Sequence, residues 1–370
     1  MDNKPTIVPV GDNPTKLWGM SNRERIRRLA GKQKLGFDDA GAPRALLVST
    51  DWAFDPPLLQ FMAGETDAAL VNDGRLVMAN VDASARGQVA RLMEAGEALP
   101  AGASFRTIEY GPDFTLYNNE LRKRERPFLT RLVPENVRGI ERASYFGAYK
   151  GVTDILTKYL WPEWALVLTR IAARIGMTPN MVTAIGAVLC VLATFLFWEG
   201  HYWWGMAAGL GFMVLDTVDG KLARCTITSS AIGNVLDHGL DLVHPPFWWW
   251  AWAVGLSAWS LAYSGAEFAW VMAAILGGYI VQRLIEGIFM RRFGMHIHVW
   301  EKLDSDFRLI TARRNPNMVI LFFATLAGRP DIGLTSVAVW TVLSCIFHAV
   351  RLVQAEAARS AGRSFESWLR

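Results

Sequence analysis

The stretch "DTVDGKLARCTITSSAIGNVLDHGLD", residues 216–241, carries four carboxylates, at Asp216, Asp219, Asp237 and Asp241. The chain on either side of it is suited to a lipid bilayer. "YWWGMAAGLGFMVL" (202–215) precedes it and "FWWWAWAVGLSAWSLAY" (247–263) follows. A charge near the bilayer centre costs about 2.5–3.5 kcal/mol on insertion scales, so four carboxylates need a cation, a water-filled cavity or both. Asp216 and Asp219 are three residues apart, and Asp237 and Asp241 are four apart. Each pair therefore shares one face of a helix. Two helices joined by a short loop then aim all four carboxylates at one point. Ligation by carboxylate alone, without Cys or His, favours a hard divalent ion, Mg2+ or Mn2+. Four carboxylates exceed what one Mg2+ needs, so two ions are expected. Gly220 and Gly233 remove side chains where a ligand must come close. Arg224 offers a planar fork suited to phosphate oxygens.

Outward from the motif, apolar stretches predict six membrane helices. The first is "MVTAIGAVLCVLATFLFW" (181–198), uncharged and about the length needed to cross. The second runs into the motif, and the third runs from Asp237 through the tryptophan-rich stretch. The fourth passes through "FAWVMAAILGGYIVQ" (268–282), the fifth is the short "NPNMVILFFATLAG" (315–328), and the sixth is "IGLTSVAVWTVLSCIFHAVRLV" (332–353). Sixteen tryptophans, many of them in "HYWWG" and "FWWWAWAV", suit the two water–lipid interfaces. The turns at 199–202 and 258–267 hold no Lys or Arg. Lys221 and Arg224 lie in the motif loop, six basic residues lie between 291 and 314, and Arg359, Arg363 and Arg370 close the chain. By the positive-inside rule both termini and the motif face the cytoplasm, as for a bacterial inner-membrane protein. The opening "MDNKPTIVPVGDNPTK" has no basic-then-apolar signal, which keeps the first domain on the same side. Cys190, Cys225 and Cys345 are too few and too scattered for a disulfide framework or a zinc knuckle.

Residues 1–117 read as a soluble α/β domain. "RALLVST" and "AALVNDGRLVMANV" are predicted strands, the latter a hairpin around Asn-Asp-Gly. "NRERIRRLAG" and "ASARGQVARLMEAG" are predicted helices ending at Gly. A basic connector, expected to be helical over 118–142, leads into an interfacial helix over 148–175, whose apolar face opposes an Arg/Lys face. The expected division is 1–117, a connector with interfacial helix at 118–178, six membrane helices at 179–358, and a tail at 359–370. The fold class is an all-α polytopic membrane domain of six transmembrane helices plus an N-terminal soluble α/β domain.

The string Asp216-x2-Asp219-Gly220-x2-Ala223-Arg224-x8-Gly233-x3-Asp237-x3-Asp241 resembles the full signature of the CDP-alcohol phosphotransferases. "MTPNMVT" (177–183) is similar to that family's approach to its first membrane helix, and the resemblance covers roughly residues 150–355. It implies a homodimeric six-helix fold in phospholipid biosynthesis. The implied reaction moves a substituted phosphate from a CDP-linked donor to an acceptor hydroxyl and releases CMP. By resemblance, Asp216, Asp219, Asp237 and Asp241 make the metal site, with Asp241 doubling as general base. Asn180, Asp216, Gly220, Ala223, Arg224 and Gly233 line the CDP site. The donor is CDP-diacylglycerol or another CDP-alcohol, the acceptor is an alcohol, and membrane lipids surround them. No nucleic-acid partner is expected.

The rival reading is an ion-coupled transporter with the aspartates as its cation site. The two glycines and Arg224 at their spacings weigh against it. Arg283 and Glu286, an i, i+3 pair in the fourth span, read as a buried ion pair or as part of an acceptor pocket. Arg291, Arg292, Arg313 and Arg314 serve orientation and headgroup contact, or grip a phosphorylated acceptor. His296 and His298 alone make no metal site. The segments 10–31 and 44–62 loosely resemble a sugar-nucleotidyltransferase domain fused to some members of the family. "VGDNPTK" holds a single Gly where active versions carry a glycine-rich phosphate loop, so a degenerate domain is expected. An active cytidylyltransferase making the donor in the same chain is the alternative.

Overall fold

The computed structural model describes residues 4–100, 105–118, 123–149 and 151–369. The side chains of 118, 123, 125, 231, 232, 234 and 236–238 lie outside that description. The expected metal ligand Asp237 and its neighbour His238 are among these. The chain divides into two compact units, one of residues 1–149, 169–178 and 221–229, the other of 150–168, 179–220 and 230–370.

The first unit is built on five strands: β1 (Thr6–Val10), β4 (Arg44–Ser49), β6 (Ala68–Asn72), β7 (Arg75–Asp82) and β8 (Arg106–Glu109). They form one sheet in the order β1-β4-β7-β6-β8. β1 runs parallel to β4, which requires a crossover. The helix α1 (Asn22–Lys32) lies in that connection, with Ser21 Oγ accepting the Glu24 N–H at its start. β6 and β7 form the hairpin expected at Asn-Asp-Gly, and Asp73 and Gly74 both take positive φ. Alternate residues of β4 serve opposite layers. Leu46 and Val48 pack with α1 and α2 (Pro56–Gly64), while Ala45 and Leu47 pack with α3 (Arg86–Ala95). Burial on both faces is why this strand reads as an unbroken apolar run. α3 stops at Gly96 in the left-handed region, as its sequence predicts.

The connector departs from the helix expected for it. β9 (Leu116–Asn118) pairs with β10 (Lys123–Glu125), and β11 (Leu129–Arg131) pairs with β5 (Trp52–Phe54). Pro127 and Pro134 exclude a continuous helix here. The next α-helix is α4 (Val137–Gly147). β11 and α4 carry the compact unit past residue 117 to 149. A smaller hairpin, β2 (Lys16–Leu17) with β3 (Met20–Ser21), turns through Trp18 and Gly19.

The interfacial segment is two helices, α5 (Ile155–Tyr159) and α6 (Pro162–Arg174). Trp164, Val167, Leu168 and Ile171 are exposed at helical spacing along α6 and form one apolar face of that helix. The chain continues through α7 (Pro179–Trp198), α8 (Tyr202–Cys225, whose last turn counts with the first unit) and α9 (Ala231–Gly255). α10 (Gly265–Met272) passes through a π turn at Ala273–Gly277 into α11 (Gly278–Phe293). α12 (Lys302–Arg308), α13 (Arg314–Leu326) and α14 (Pro330–Ser360) complete the second unit.

Among the described residues, three helices are long and apolar enough to cross a membrane: Pro179–Trp198, Gly265–Phe293 and Pro330–Ser360. The other three expected spans are helical but fall outside that standard. α8 and α9 have the length, 24 and 25 residues, but carry the aspartates, and α9 includes side chains outside the description. α13 has only 13 residues, about 20 Å of helix against a hydrocarbon core of about 30 Å.

Candidate active site

The site starts on α8, where Asp216 and Asp219 stand one turn apart. Trp161 donates its indole N–H to Thr217 Oγ1 at 3.0 Å, fixing this part of the helix. Asp219 is buried, and Thr183, near the start of α7, donates to its Oδ2 at 2.6 Å. The Gly220 N–H donates to the other oxygen at 2.5 Å. Donors on both oxygens hold this carboxylate in one orientation.

Asp241 arrives on α9 and meets Asp216 through a residue distant in sequence. Arg314, at the start of α13, donates from Nη2 to Asp216 Oδ2 at 2.7 Å and from Nη1 to Asp241 Oδ1 at 2.9 Å. Its guanidinium packs over the Phe212 ring, and its Nε donates to Asn315 Oδ1 at 3.0 Å. Asn315 in turn donates to Asp154, the N-cap of α5, at 3.0 Å. One largely buried fork therefore brings together carboxylates from two helices. Asp241 remains 47% exposed, against 18% for Asp216, so of the two it is the one open to an incoming group.

Gly233 lets two polar side chains come close. A Cβ there would stand 2.8 Å from Asn180 Oδ1 and 3.0 Å from the Ser230 Oγ that caps α9. Asn180 and Gly233 are thus neighbours. At 3.6 residues per turn, Asp216, Gly220 and Ala223 fall within about 60° of one another around α8, whereas Arg224 is turned about 80° from Asp216. Ala223 and Arg224 belong to the first unit.

The expected acceptor residues separate into three groups. Arg283 donates to Glu286 at 3.1 Å, and Arg313 pairs with the same carboxylate. His298 Nε2 lies 3.4 Å from Glu286 and 3.1 Å from Arg313 Nη2. Arg314 joins the aspartates instead. Arg291 and Arg292 are exposed on the last turn of α11, where Arg292 pairs with Glu356 at 3.3 Å. The Arg283–Glu286 ion pair is therefore present, with Arg313 and His298 added to it. Nothing in the spacing of His298 and Arg308 marks them as neighbours of this pair; a polar loop between two apolar helices is the available signal. Burial pushes His298 well below its usual range, so it is neutral, and pushes Arg308 down to about 9, still a cation at neutral pH. Arg283, Arg308 and Arg313 each keep a buried N–H group with no acceptor among the described residues. Unmet donors of one sign of charge suit an anion.

No group of three or more His, Cys, Asp or Glu is gathered as a metal site among the described residues, which leave out the side chain of Asp237. The donor chemistry nonetheless fits a divalent cation. Asp216 and Asp241 present hard oxygens to one cationic centre, here a guanidinium, and Asp219 lies one turn away.

Residues 176–347 match the family described as CDP-alcohol phosphatidyltransferase. This segment is a CDP-alcohol phosphatidyltransferase domain. A phosphatidylinositol phosphate synthase from Mycolicibacterium smegmatis is 33% identical over 113 residues, 29% of this chain and 50% of its own length. A cholinephosphotransferase 1 from Gallus gallus is 29% identical over 127 residues, 31% of this chain and 36% of its own. The chain thus spans half or less of the length of these relatives. A crystal structure of Mycobacterium tuberculosis phosphatidylinositol phosphate synthase with manganese and citrate aligns with 51% of this chain and 88% of its own. Its sequence identity is 18% and its TM-score 0.41. All eight signature residues and Asn180 lie inside the CDP-alcohol phosphatidyltransferase domain.

Proposed function

We propose that the chain is an integral-membrane enzyme of phospholipid synthesis. It transfers a substituted phosphate group from CDP-diacylglycerol or another CDP-alcohol to an acceptor hydroxyl, and releases CMP. The observation that carries this reading is the meeting of Asp216 and Asp241, from two helices, on a single cationic centre. We further propose six membrane helices, both termini and the site on the cytoplasmic face, a homodimer, and an N-terminal unit without nucleotidyltransferase activity.

Asp216, Asp219, Asp237 and Asp241 would hold Mg2+ or Mn2+. When bound, such ions neutralise the donor diphosphate and the charge growing on the leaving CMP. Thr183 and the Gly220 N–H keep Asp219 aimed. Gly233 and Asn180 leave room for the cytidine side of the donor. Asp241, the more open carboxylate, takes the proton from the acceptor hydroxyl as its oxygen attacks phosphorus, and the bond from phosphorus to the CMP oxygen breaks. The buried donors of Arg283, Arg308 and Arg313 favour an acceptor that itself carries phosphate.

The test is CMP release by purified protein in detergent with Mg2+ or Mn2+. CDP-diacylglycerol, CDP-inositol, CDP-glycerol, CDP-choline and CDP-ethanolamine are each offered with polar and phosphorylated alcohols. Metal-dependent release is expected for one pair, reduced at least about 100-fold in Asp241→Asn. Absence of release with every pair, together with no binding of any CDP compound, would sink the proposal.

A further inference from the structure

The first unit contains a cavity of about 80 Å³ that the proposed transfer does not use. By the ~10–15 Å³ needed to seat one water, it has room for a small polyatomic group with solvent. Parts of α1, the start of α2, the end of α4 and the last turn of α8 enclose it. Its charged lining is Arg25, Lys32 and Arg224 against the carboxylate of Asp55. The thiol of Cys225 adds no charge, because burial pushes it up to about 12.

Two of the cations have unmet hydrogen-bond donors. Arg25 is 3% exposed; its Nη2 donates to the Phe54 carbonyl and its guanidinium lies 5.2 Å from the centre of the Phe54 ring. Its Nη1 is buried with no acceptor among the described residues, and so is Nε of Arg224. Burial lowers Arg25 to about 10, with Asp55 opposing the shift, so the side chain stays charged at neutral pH. A buried guanidinium with an unused N–H is costly unless something supplies an oxygen.

We propose that this cavity binds a phosphate-class anion, gripped by Arg25 Nη1 and Arg224 Nε. A phosphate has enough oxygens to accept from two guanidinium groups at once, and planar forks favour it. Apolar walls at Pro57 and Phe128 limit the hydration that a smaller, harder anion would keep. Arg224, in the last turn of α8, lines this cavity of the first unit together with Arg25. The anion thereby ties α1 to the end of the motif helix within that unit. The phosphate can be free or carried by a nucleotide or a sugar alcohol, and the chemistry of the grip is the same.

The experiment is calorimetric titration of the full-length protein in detergent and EDTA with inorganic phosphate, CMP and glycerol phosphate in turn. EDTA removes the metal-dependent donor site from the readout, so failure here is distinct from failure of the phosphotransferase reading. Saturable binding is expected, weakened about tenfold or more in Arg25→Gln, severalfold in Lys32→Glu, and kept in Asp241→Asn. The rim variant Lys32→Glu carries the test if Arg25→Gln does not fold. Tighter binding of CMP or glycerol phosphate than of phosphate supports the proposal and identifies the carrier; equal binding supports it with free phosphate as the ligand. No saturable binding of any of the three, binding unchanged in the folded variants, or binding lost in Asp241→Asn overturns it.

Discussion

Under the proposed function Asp219 is a metal ligand, held by the Thr183 hydroxyl on one oxygen and the Gly220 N–H on the other. Thr183 reaches it at 2.6 Å in a nearly water-free position, so Thr183→Val removes a donor that water cannot easily replace. Outer partners of metal ligands typically account for about 10–100-fold in affinity. Mn2+ titration followed by electron paramagnetic resonance should show a loss of that size in Thr183→Val and little change in Thr183→Ser. An unchanged affinity in the valine variant would remove Thr183 from the site. Arg314 is the other residue whose part emerges only in three dimensions. Its position in the chain groups it with Arg283 and Arg313 as an acceptor ligand, yet it forks onto Asp216 and Asp241.

At the scale of elements, the helices of the second unit approach through glycine. A Cβ on Gly255 of α9 would run into the Phe197 carbonyl and stand 2.9 Å from the Gly200 nitrogen, backbone atoms that cannot swing aside. Gly255→Ala should therefore separate α7 from α9, and overpacking of this kind costs about 1–3 kcal/mol or more. Gly277→Ala, with nothing within 4 Å of the new carbon, is the matched control. Thermal unfolding in detergent should fall for the first and hold for the second. In the first unit, α1 carries an acid-sensitive contact. The hydrogen bond from Arg27, opposed by burial and helped by Arg28, holds Glu24 near 2 against its usual 4.5. Its folded value is depressed, so its contribution is present above pH 4.5 and fades as pH falls towards 2. Glu24→Gln should melt below wild type at pH 6, and the gap should close on acidification. A gap that stays constant down to pH 3 would remove this contact from the stability of α1.

At the scale of the molecule, the question is which helices cross. α7, Gly265–Phe293 and α14 qualify by length and apolarity, while α8 and α9 carry the aspartates and α13 is short, at 13 residues. If all six cross, single cysteines at His201 and Ala262 in a cysteine-free background are labelled by an impermeant maleimide from outside intact cells. Cysteines at Ser229 and Lys302 are then labelled only after permeabilisation. All four positions are exposed, so access depends on the side of the membrane alone. Labelling of Ser229 from outside would reverse the proposed orientation.

Local chemistry alone specifies a great deal. Alternation and the Asn-Asp-Gly turn define the β6–β7 hairpin, Gly96 ends α3, and the spacing of Asp216 with Asp219 puts them on a shared helical face. These depend on neighbours a few residues away, so they survive any tertiary arrangement. The connector at 118–142 does not yield to the same reading, because β11 is a strand only by virtue of β5, some 75 residues earlier in the chain. Pattern sees its basic residues; only pairing sees its backbone. The meeting of Asp216, Asp241 and Arg314 belongs to the same class, since 98 residues separate Asp216 from Arg314. So does the cavity of the first unit, to which Arg25 and Arg224 come from opposite ends of the sequence that folds around it. Sequence spacing sets which face of an element a charge occupies. Only packing decides which opposite charge, or which unmet donor, it finds there.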